Sequence, residues 1–97
     1  EKIAKTGTLN DIEEIPERIK RIFITAHDVS PMWHVRIQAA FQKHIDNAIS
    51  KTVNFSKNAT IGQIKKVFMK AYKMGCKGIT VYRDGSINDQ VIQLSQW

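Results

Sequence analysis

The chain has 97 residues, of which 42% are apolar and 25% are charged, and its formal net charge is +6. This length allows one domain, and the composition is that of a folded soluble domain, which excludes a disordered tether. The single cysteine, Cys76, excludes a scaffold of internal disulfides. A single cysteine also fits a reducing compartment, so we expect a cytoplasmic protein. We expect no membrane span, because no apolar run is long enough, and no secretory signal, because the chain shows no basic, apolar and small-residue pattern of that kind.

The chain begins with a polar stretch, residues 1–15, which predicts a lead-in loop. Pro16 then suits the first position of a helix, where its missing N–H is not needed. The apolar residues that follow repeat at helical spacing and predict a short amphipathic helix that ends near His27–Asp28. These residues are Ile19, Ile22, Phe23 and Ala26.

A second helix is predicted from Ser30 and Pro31, which have the residue types of an N-cap and a first helical position. Its apolar residues fall on one stripe, which we expect to face the core: Trp33, Ile37, Ala40, Phe41, Ile45 and Ala48. This helix is predicted to be the longest element of the chain. Residues 16–49 are therefore predicted to hold two helices.

Residues 51–83 predict a strand, a helix and a second strand. The strands are the alternating, β-prone stretches 51–55 and 79–83. Between the two strands, Thr60 and Gln63 predict a capping box and Gly75 predicts a helix end. Residues 84–97 are predicted to be a turn and a tail, in which 91–94 could add a strand. The helix is expected to face the core with Ile64, Val67, Phe68, Ala71 and Tyr72.

Such a βαβ unit is predicted to pair its strands in parallel through a right-handed crossover. Parallel sheets normally have more than two members and are covered on both faces. We therefore expect the unit to belong to a larger sheet, within the single unit formed by residues 1–97.

The residue types of catalytic and metal sites are sparse in this chain. His27, His34 and His44 lack the spacing of metal ligands and are expected on polar faces or as cap partners. Cys76 follows a helix C-terminus, where the dipole raises a thiol pKa, and is expected to be a small buried packing residue. We assign no catalytic, cofactor-binding or metal-ligating residue to the chain.

Two features suggest contact with anions. Thr6-Gly7-Thr8 resembles a short phosphate-binding loop, but no helix is predicted directly after it. Five lysines are predicted to cover the outer face of the third helix and its exit: Lys65, Lys66, Lys70, Lys73 and Lys77. A solvated face is the usual meaning of such a pattern, and no aromatic residues are interleaved for base stacking, so contact with nucleic acid is disfavoured.

Several stretches together resemble the class II, adenosylcobalamin-dependent ribonucleotide reductases. The first is Ile15-Pro16-Glu17 followed by Thr25-Ala26-His27-Asp28, and the second runs from Gln38 to Lys43 and from Asp46 to Phe55. The third is Gly75-Cys76-Lys77-Gly78-Ile79-Thr80-Val81-Tyr82-Arg83-Asp84-Gly85-Ser86. The resemblance covers roughly residues 1–92, which is nearly the whole chain.

The resemblance implies a C-terminal segment of the reductase's ten-stranded α/β catalytic barrel, with the two strands in the barrel wall and the first two helices outside it. The family's thiyl-radical cysteine, redox cysteine pair, finger-loop Asn and Glu and cofactor-binding elements lie upstream. The stretch Lys5-Thr6-Gly7-Thr8 lacks the proline of the family's phosphate loop, so it is given no substrate role.

The fold class predicted is thus α/β: two helices followed by a right-handed βαβ unit, as a fragment of the reductase barrel. The whole enzyme would convert ribonucleotides into deoxyribonucleotides with adenosylcobalamin, whereas this segment supplies scaffold and is expected to be inactive alone. Its partners would be the remainder of the barrel or further copies of itself. The alternative is a freestanding basic α/β module that binds a nucleotide or nucleic acid.

The sequence leaves open which strand face would line the barrel. One choice is Lys51, Val53 and Phe55 with Ile79, Val81 and Arg83. The other is Thr52 and Asn54 with Thr80 and Tyr82. The two sets alternate because successive side chains of a strand point to opposite faces.

Overall fold

The computed structural model describes residues 1–86, and the predicted tail strand at 91–94 lies outside them. The elements follow in the order α1 (Lys2–Thr6), α2 (Glu17–Lys20), α3 (Pro31–Gln42), β1 (Thr52–Phe55), α4 (Ile61–Lys73) and β2 (Thr80–Arg83). The mixed α/β class is confirmed. None of the helices in this part of the chain is long and apolar enough to cross a membrane.

The two strands pair in parallel, as the sequence predicts, and α4 connects them. Thr52 is level with Thr80, Val53 with Val81, Asn54 with Tyr82 and Phe55 with Arg83. Within residues 1–86 the sheet has these two strands. Parallel sheets of two strands are not normally independent, which agrees with a segment of a larger sheet.

Both ends of α4 have the predicted chemistry. The Thr60 hydroxyl accepts from the Gln63 backbone N–H at 3.2 Å, and the Gln63 side-chain oxygen accepts from the Thr60 N–H at 2.9 Å, which completes a capping box. At the other end Gly75 has a φ of 79°. Its N–H donates to Tyr72 O and that of Cys76 to Ala71 O, the two hydrogen bonds of a Schellman motif.

The burial of α3 differs from the prediction. Its apolar row Trp33, Ile37 and Phe41 is exposed, with 55% of Trp33 and 62% of Phe41 accessible. The buried residues are His34, Val35, Gln38, Ala39 and Gln42. The period was predicted correctly and the inward face was not, because polar groups of this helix bind the chain that leads into the strands. With 12 residues, α3 is also shorter than the 13 residues of α4.

The N-terminal segment differs from the prediction in two places. A five-residue helix, α1, lies within the stretch predicted as a loop. The helix after Pro16 ends at Lys20 instead of near His27–Asp28. Beyond the helix, the Asp28 carboxylate accepts from both the N–H and the hydroxyl of Thr25, and such local bonds compete with helix formation at residues 25–28.

The core lies between the strand pair and the two long helices. Its buried members are Val35, Val53, Phe55, Ala59, Val67 and Ala71, and Met32, Ile64, Met74, Cys76, Ile79 and Val81 pack against them. Of the stripe predicted for α4, Val67 and Ala71 are buried and Ile64 is half-buried, whereas Phe68 and Tyr72 are exposed. The core of residues 1–86 is therefore small, and much apolar surface remains outside it.

Candidate functional site

The strand pair has one face against the helices and one face away from them. Val53, Phe55, Ile79 and Val81 pack in the core with residues of α3 and α4. Because side chains alternate along a strand, Thr52, Asn54, Thr80 and Tyr82 occupy the opposite face. The Tyr82 hydroxyl oxygen is buried and has no hydrogen-bond partner within residues 1–86. This opposite face is polar, because its side chains carry three hydroxyls and one amide.

A row of polar side chains runs along the inward face of α3. Gln38 is 2% exposed, and its Nε2 donates to the carbonyls of Ile49 at 3.3 Å and Gly78 at 2.6 Å. Gln42 donates to the carbonyls of Ile45 and Asn47 and accepts from the N–H of Ile49. These bonds hold the backbone just before β1 and just before β2. Glutamines at these positions therefore set where both strands begin.

The third member of the row, His34, pairs with Lys51. The Lys51 ammonium donates to His34 Nδ1 at 2.8 Å and to Thr52 O at 2.6 Å, and His34 Nε2–H donates to Ala26 O at 3.0 Å. Burial lowers the pKa of His34, and the Lys51 charge lowers it further, while burial lowers the pKa of Lys51. His34 is thus a neutral, buried residue and not the polar-face histidine that the sequence predicts, whereas His27 and His44 are exposed.

Asp28 joins the start of the chain to the turn before α3. Its carboxylate accepts from the Thr8 hydroxyl at 3.2 Å and from the Asn10 amide at 3.4 Å, besides its bonds to Thr25. The backbone hydrogen bond from Thr25 is the largest cause of the lowered pKa of Asp28. Thr6-Gly7-Thr8 follows the end of α1 and does not precede a helix. That geometry does not match a phosphate loop, which needs a helix N-terminus.

A cavity of about 380 Å³ opens at the carboxyl end of β1. Asn54 to Ser56 form one wall, and the starts of α3 and α4 form the others, with Ser30, Gln63 and Lys66 at its edge. Crevices at the carboxyl ends of parallel strands are where α/β sheets bind ligands. The lining also includes the His27 imidazole and the Asp28 carboxylate. Among the described residues, neither serine hydroxyl of the lining is hydrogen-bonded to His27 or Asp28, so the cavity holds no activated nucleophile.

Cys76 lies at the junction of α4 and the approach to β2. It is half-buried, packs against the core, and burial raises the pKa of its thiol. The sequence predicts a small buried packing residue with a raised pKa. Cys76 does pack on the core and its pKa is raised, but the cause of the shift is burial instead of the helix dipole. Within residues 1–86, no three His, Cys, Asp or Glu side chains come together in an arrangement that could hold a metal ion.

Both long helices expose apolar flanks that point away from each other. Met32 lies on the side of α3 that approaches α4, so the row Trp33, Ile37 and Phe41 lies on the far side, given 3.6 residues per turn. On α4, Lys66 lies on the side that approaches Met32 of α3. The exposed residues Phe68 and Tyr72 lie on the other side of the helix, beyond Val67. Apolar flanks of this kind mark contact with further structure.

The sequence did not predict the part-buried polar contacts of Gln38, Gln42 and the His34–Lys51 pair. Their spacing of four residues along α3 was a usable signal, because it places all three side chains of the helix on one row. The signal competed with the apolar row beside it, which has the same period. The stripe of lysines on α4 was predicted correctly: Lys65, Lys66 and Lys73 are exposed, and Lys70 is half-buried.

The chain is similar to a group of known proteins over most of its length. A model of the family described as "Ribonucleotide reductase, barrel domain" matches residues 1–82. A vitamin B12-dependent ribonucleoside-diphosphate reductase of Thermoplasma acidophilum is 46% identical over 90 residues, which are 93% of this chain. A protein of the same description from Mycobacterium tuberculosis is 41% identical over 90 residues, also 93% of the chain.

A third relative, a vitamin B12-dependent ribonucleotide reductase of Streptomyces clavuligerus, is 37% identical over 87 residues, or 87% of the chain. The matched stretch is 12% of the Thermoplasma protein, 13% of the Mycobacterium protein and 9% of the Streptomyces protein. The chain therefore spans about an eighth or less of the length of these relatives.

Proposed function

Since this chain belongs to the ribonucleotide reductase family, as a stretch of its barrel domain, we propose that it is a scaffold segment in the catalytic barrel of an adenosylcobalamin-dependent ribonucleoside-diphosphate reductase. The whole cytoplasmic enzyme would replace the 2′-hydroxyl of a ribonucleotide by hydrogen and so supply precursors for DNA synthesis. The segment contributes two strands of the barrel wall and helices of its outer layer.

The pair of outward apolar flanks is the observation that supports this proposal. α3 and α4 lie on one face of the sheet, and each exposes an apolar row on the side away from the other. A helix in the outer layer of an α/β barrel has a neighbouring helix on both sides. Flanks with Trp33 and Phe41 on one helix and Phe68 and Tyr72 on the other fit two helices taken from such a ring.

The same arrangement assigns the strand faces. Helices cover the outside of an α/β barrel, so the face that packs on α3 and α4 would be the outer one. The interior would then be lined by Thr52, Asn54, Thr80 and Tyr82. Three of these side chains carry a hydroxyl and one an amide, so the segment would present neutral hydrogen-bonding groups to the inside of the barrel.

We propose no cobalamin-binding role for residues 1–86. Of their histidines, His34 has both ring nitrogens hydrogen-bonded. When bound to the whole enzyme, adenosylcobalamin would supply the radical for reduction. We assign this segment no contact with it and no redox step, and the 97-residue chain alone is expected to reduce no ribonucleotide.

Segment replacement in the Thermoplasma acidophilum relative tests the proposal. The 90 matching residues would be exchanged for those of this chain, and reduction of ribonucleoside diphosphates would be followed with adenosylcobalamin and a thiol reductant. The chimera is expected to keep activity, and a Val53→Asp chimera is expected to lose both activity and thermal stability, because Val53 is fully buried. A chimera that folds like the parent but reduces nothing contradicts the proposal.

A further inference from the structure

A groove with a methionine floor and a lysine rim lies on the outer side of the two long helices. It has a volume of about 530 Å³. Met32 from α3 and Met69 from α4 form the floor, and Lys65, Lys66, Lys70 and Lys73 form the rim. Met69 is about half exposed. The groove lies away from the strands, and the role of the segment in the barrel wall does not use it.

The positive charge of this groove is not balanced within the described part of the chain. α4 contains no Asp or Glu, and none of the four lysines forms an ion pair with a carboxylate of residues 1–86. Lys66 and Lys70 are four residues apart, and Lys70 and Lys73 are three apart. Like charges at these spacings repel each other and disfavour the helix. An anionic partner would remove that repulsion.

The floor indicates which kind of anion fits. Methionine side chains are flexible and polarizable, and they adapt to the aliphatic and aromatic side chains of a partner. Nucleic acids would instead be expected to find aromatic side chains for base stacking or arginine forks for phosphate, and the groove is lined by neither. Six of the seven lining residues of the groove come from α4 and one, Met32, comes from α3. An apolar groove with charged edges suits the apolar face and flanking charges of an amphipathic helix.

We propose that this groove is a docking surface for an acidic amphipathic helix of a partner protein. Leucine-type side chains of the partner would lie on Met32 and Met69, and its Asp and Glu side chains would pair with the lysine rim. Because such contacts combine apolar burial with partly exposed ion pairs, the affinity should fall with rising salt without disappearing.

Fluorescence anisotropy with a defined probe tests the docking surface. The probe is a labelled synthetic peptide, about 14 residues long to match α4, with Glu and Leu on opposite sides of a helix. Lys66→Glu with Lys70→Glu should weaken its binding to the 97-residue chain by about tenfold or more. Met69→Gln should weaken it while leaving the salt dependence unchanged. The matched control, Lys5→Glu with Lys57→Glu, makes the same change of charge on exposed lysines outside the groove and should leave affinity within about twofold.

Three outcomes would overturn the proposal. One is an equal loss of binding in the control and groove variants, which would show that net charge alone explains the binding. Another is tighter binding of a single-stranded oligothymidine than of the peptide, which would make the surface a nucleic-acid site. The last is an unchanged affinity in Met69→Gln, which would show that the methionine floor does not contribute to binding. Far-UV circular dichroism of every variant checks that its total helix content equals that of the wild type.

Discussion

Gln38→Glu is the most informative single change in this chain, because it alters one atom at the point where both strands are held. Gln38 Nε2 donates to the carbonyls of Ile49 and Gly78. In the variant an oxygen replaces that nitrogen, so two backbone acceptors lose their donor and face a carboxylate. Shape and volume stay nearly the same, so the change tests hydrogen bonding and charge without creating a cavity.

The expected effect is large for one atom. A buried polar group left unsatisfied costs about 1–3 kcal/mol, and an uncompensated buried charge about 3–5 kcal/mol. With Gln38 2% exposed, water relieves little of this. We expect the free energy of unfolding to fall by about 3–5 kcal/mol at pH 7, out of the roughly 5–15 kcal/mol typical of whole domains. Urea unfolding followed by far-UV circular dichroism measures it.

The pH dependence separates this explanation from others. Burial and the two facing carbonyls raise the pKa of the introduced carboxyl, and its protonated form can donate one hydrogen bond again. The stability difference between wild type and Gln38→Glu should therefore shrink from pH 8 to pH 5. Gln38→Leu, which removes the donor and also the unpartnered Oε1, should lose less, about 1–3 kcal/mol.

Gln63→Glu is the matched control. Gln63 is exposed and holds the third position of the α4 capping box, where Glu is equally suitable, so stability should stay within about 0.5 kcal/mol of wild type. If Gln38→Glu unfolds at the same urea concentration as Gln63→Glu at pH 7, the Gln38 amide does not hold the two strand starts. The account of the polar row would then be wrong.

Three further results are expected. The pKa of His34 is lowered in the folded chain, so on acidification the unfolded chain binds a proton at this residue first. The urea midpoint should therefore fall as pH drops from about 7 to 5. A His34→Gln variant whose midpoint depends on pH to the same extent would refute this. Cys76→Ser should lower stability by about 1–3 kcal/mol, and native Cys76 should alkylate more slowly at pH 8 than in urea because burial raises its pKa; equal rates would mark the thiol as exposed. Light scattering over a concentration series should show association above 11.1 kDa, reduced by Trp33→Ser with Phe41→Ser; a strictly monomeric wild type would show that these flanks need no cover.

The βαβ unit could be predicted from the sequence because local chemistry specifies it. The capping box of Thr60 and Gln63, the positive φ of Gly75 and the alternation in both strands each have one structural meaning, and the structure has all of them. The parallel pairing then followed from the length of the connecting helix. The handedness of the crossover stays a prediction.

The N-terminal segment and the face of α3 could not be predicted in the same way. Asp28 binds Thr25, Thr8 and Asn10 in the stretch that was predicted to be helical, and the contacts with Thr8 and Asn10 span 18 or more residues that no local pattern reveals. In α3, two neighbouring rows have the same period. A pattern shows that a helix has an apolar row but not whether that row faces the core of its own segment.

The polar row of α3 faces the core for a physical reason that lies in the strands. The carbonyls of Ile49 and Gly78 lie just before β1 and β2, outside the ladder that pairs Thr52 with Thr80. Buried carbonyls at such positions need donors from elsewhere, and a glutamine with two N–H groups can serve both. Once the row of Gln38 faces inward, the row of Trp33 must face outward, because the two are adjacent on the helix. An apolar row that is exposed in the isolated segment keeps its stabilising effect only where further structure of the protein covers it. The polar inner row of α3 and its apolar outer row therefore both follow from the position of this helix in a larger barrel.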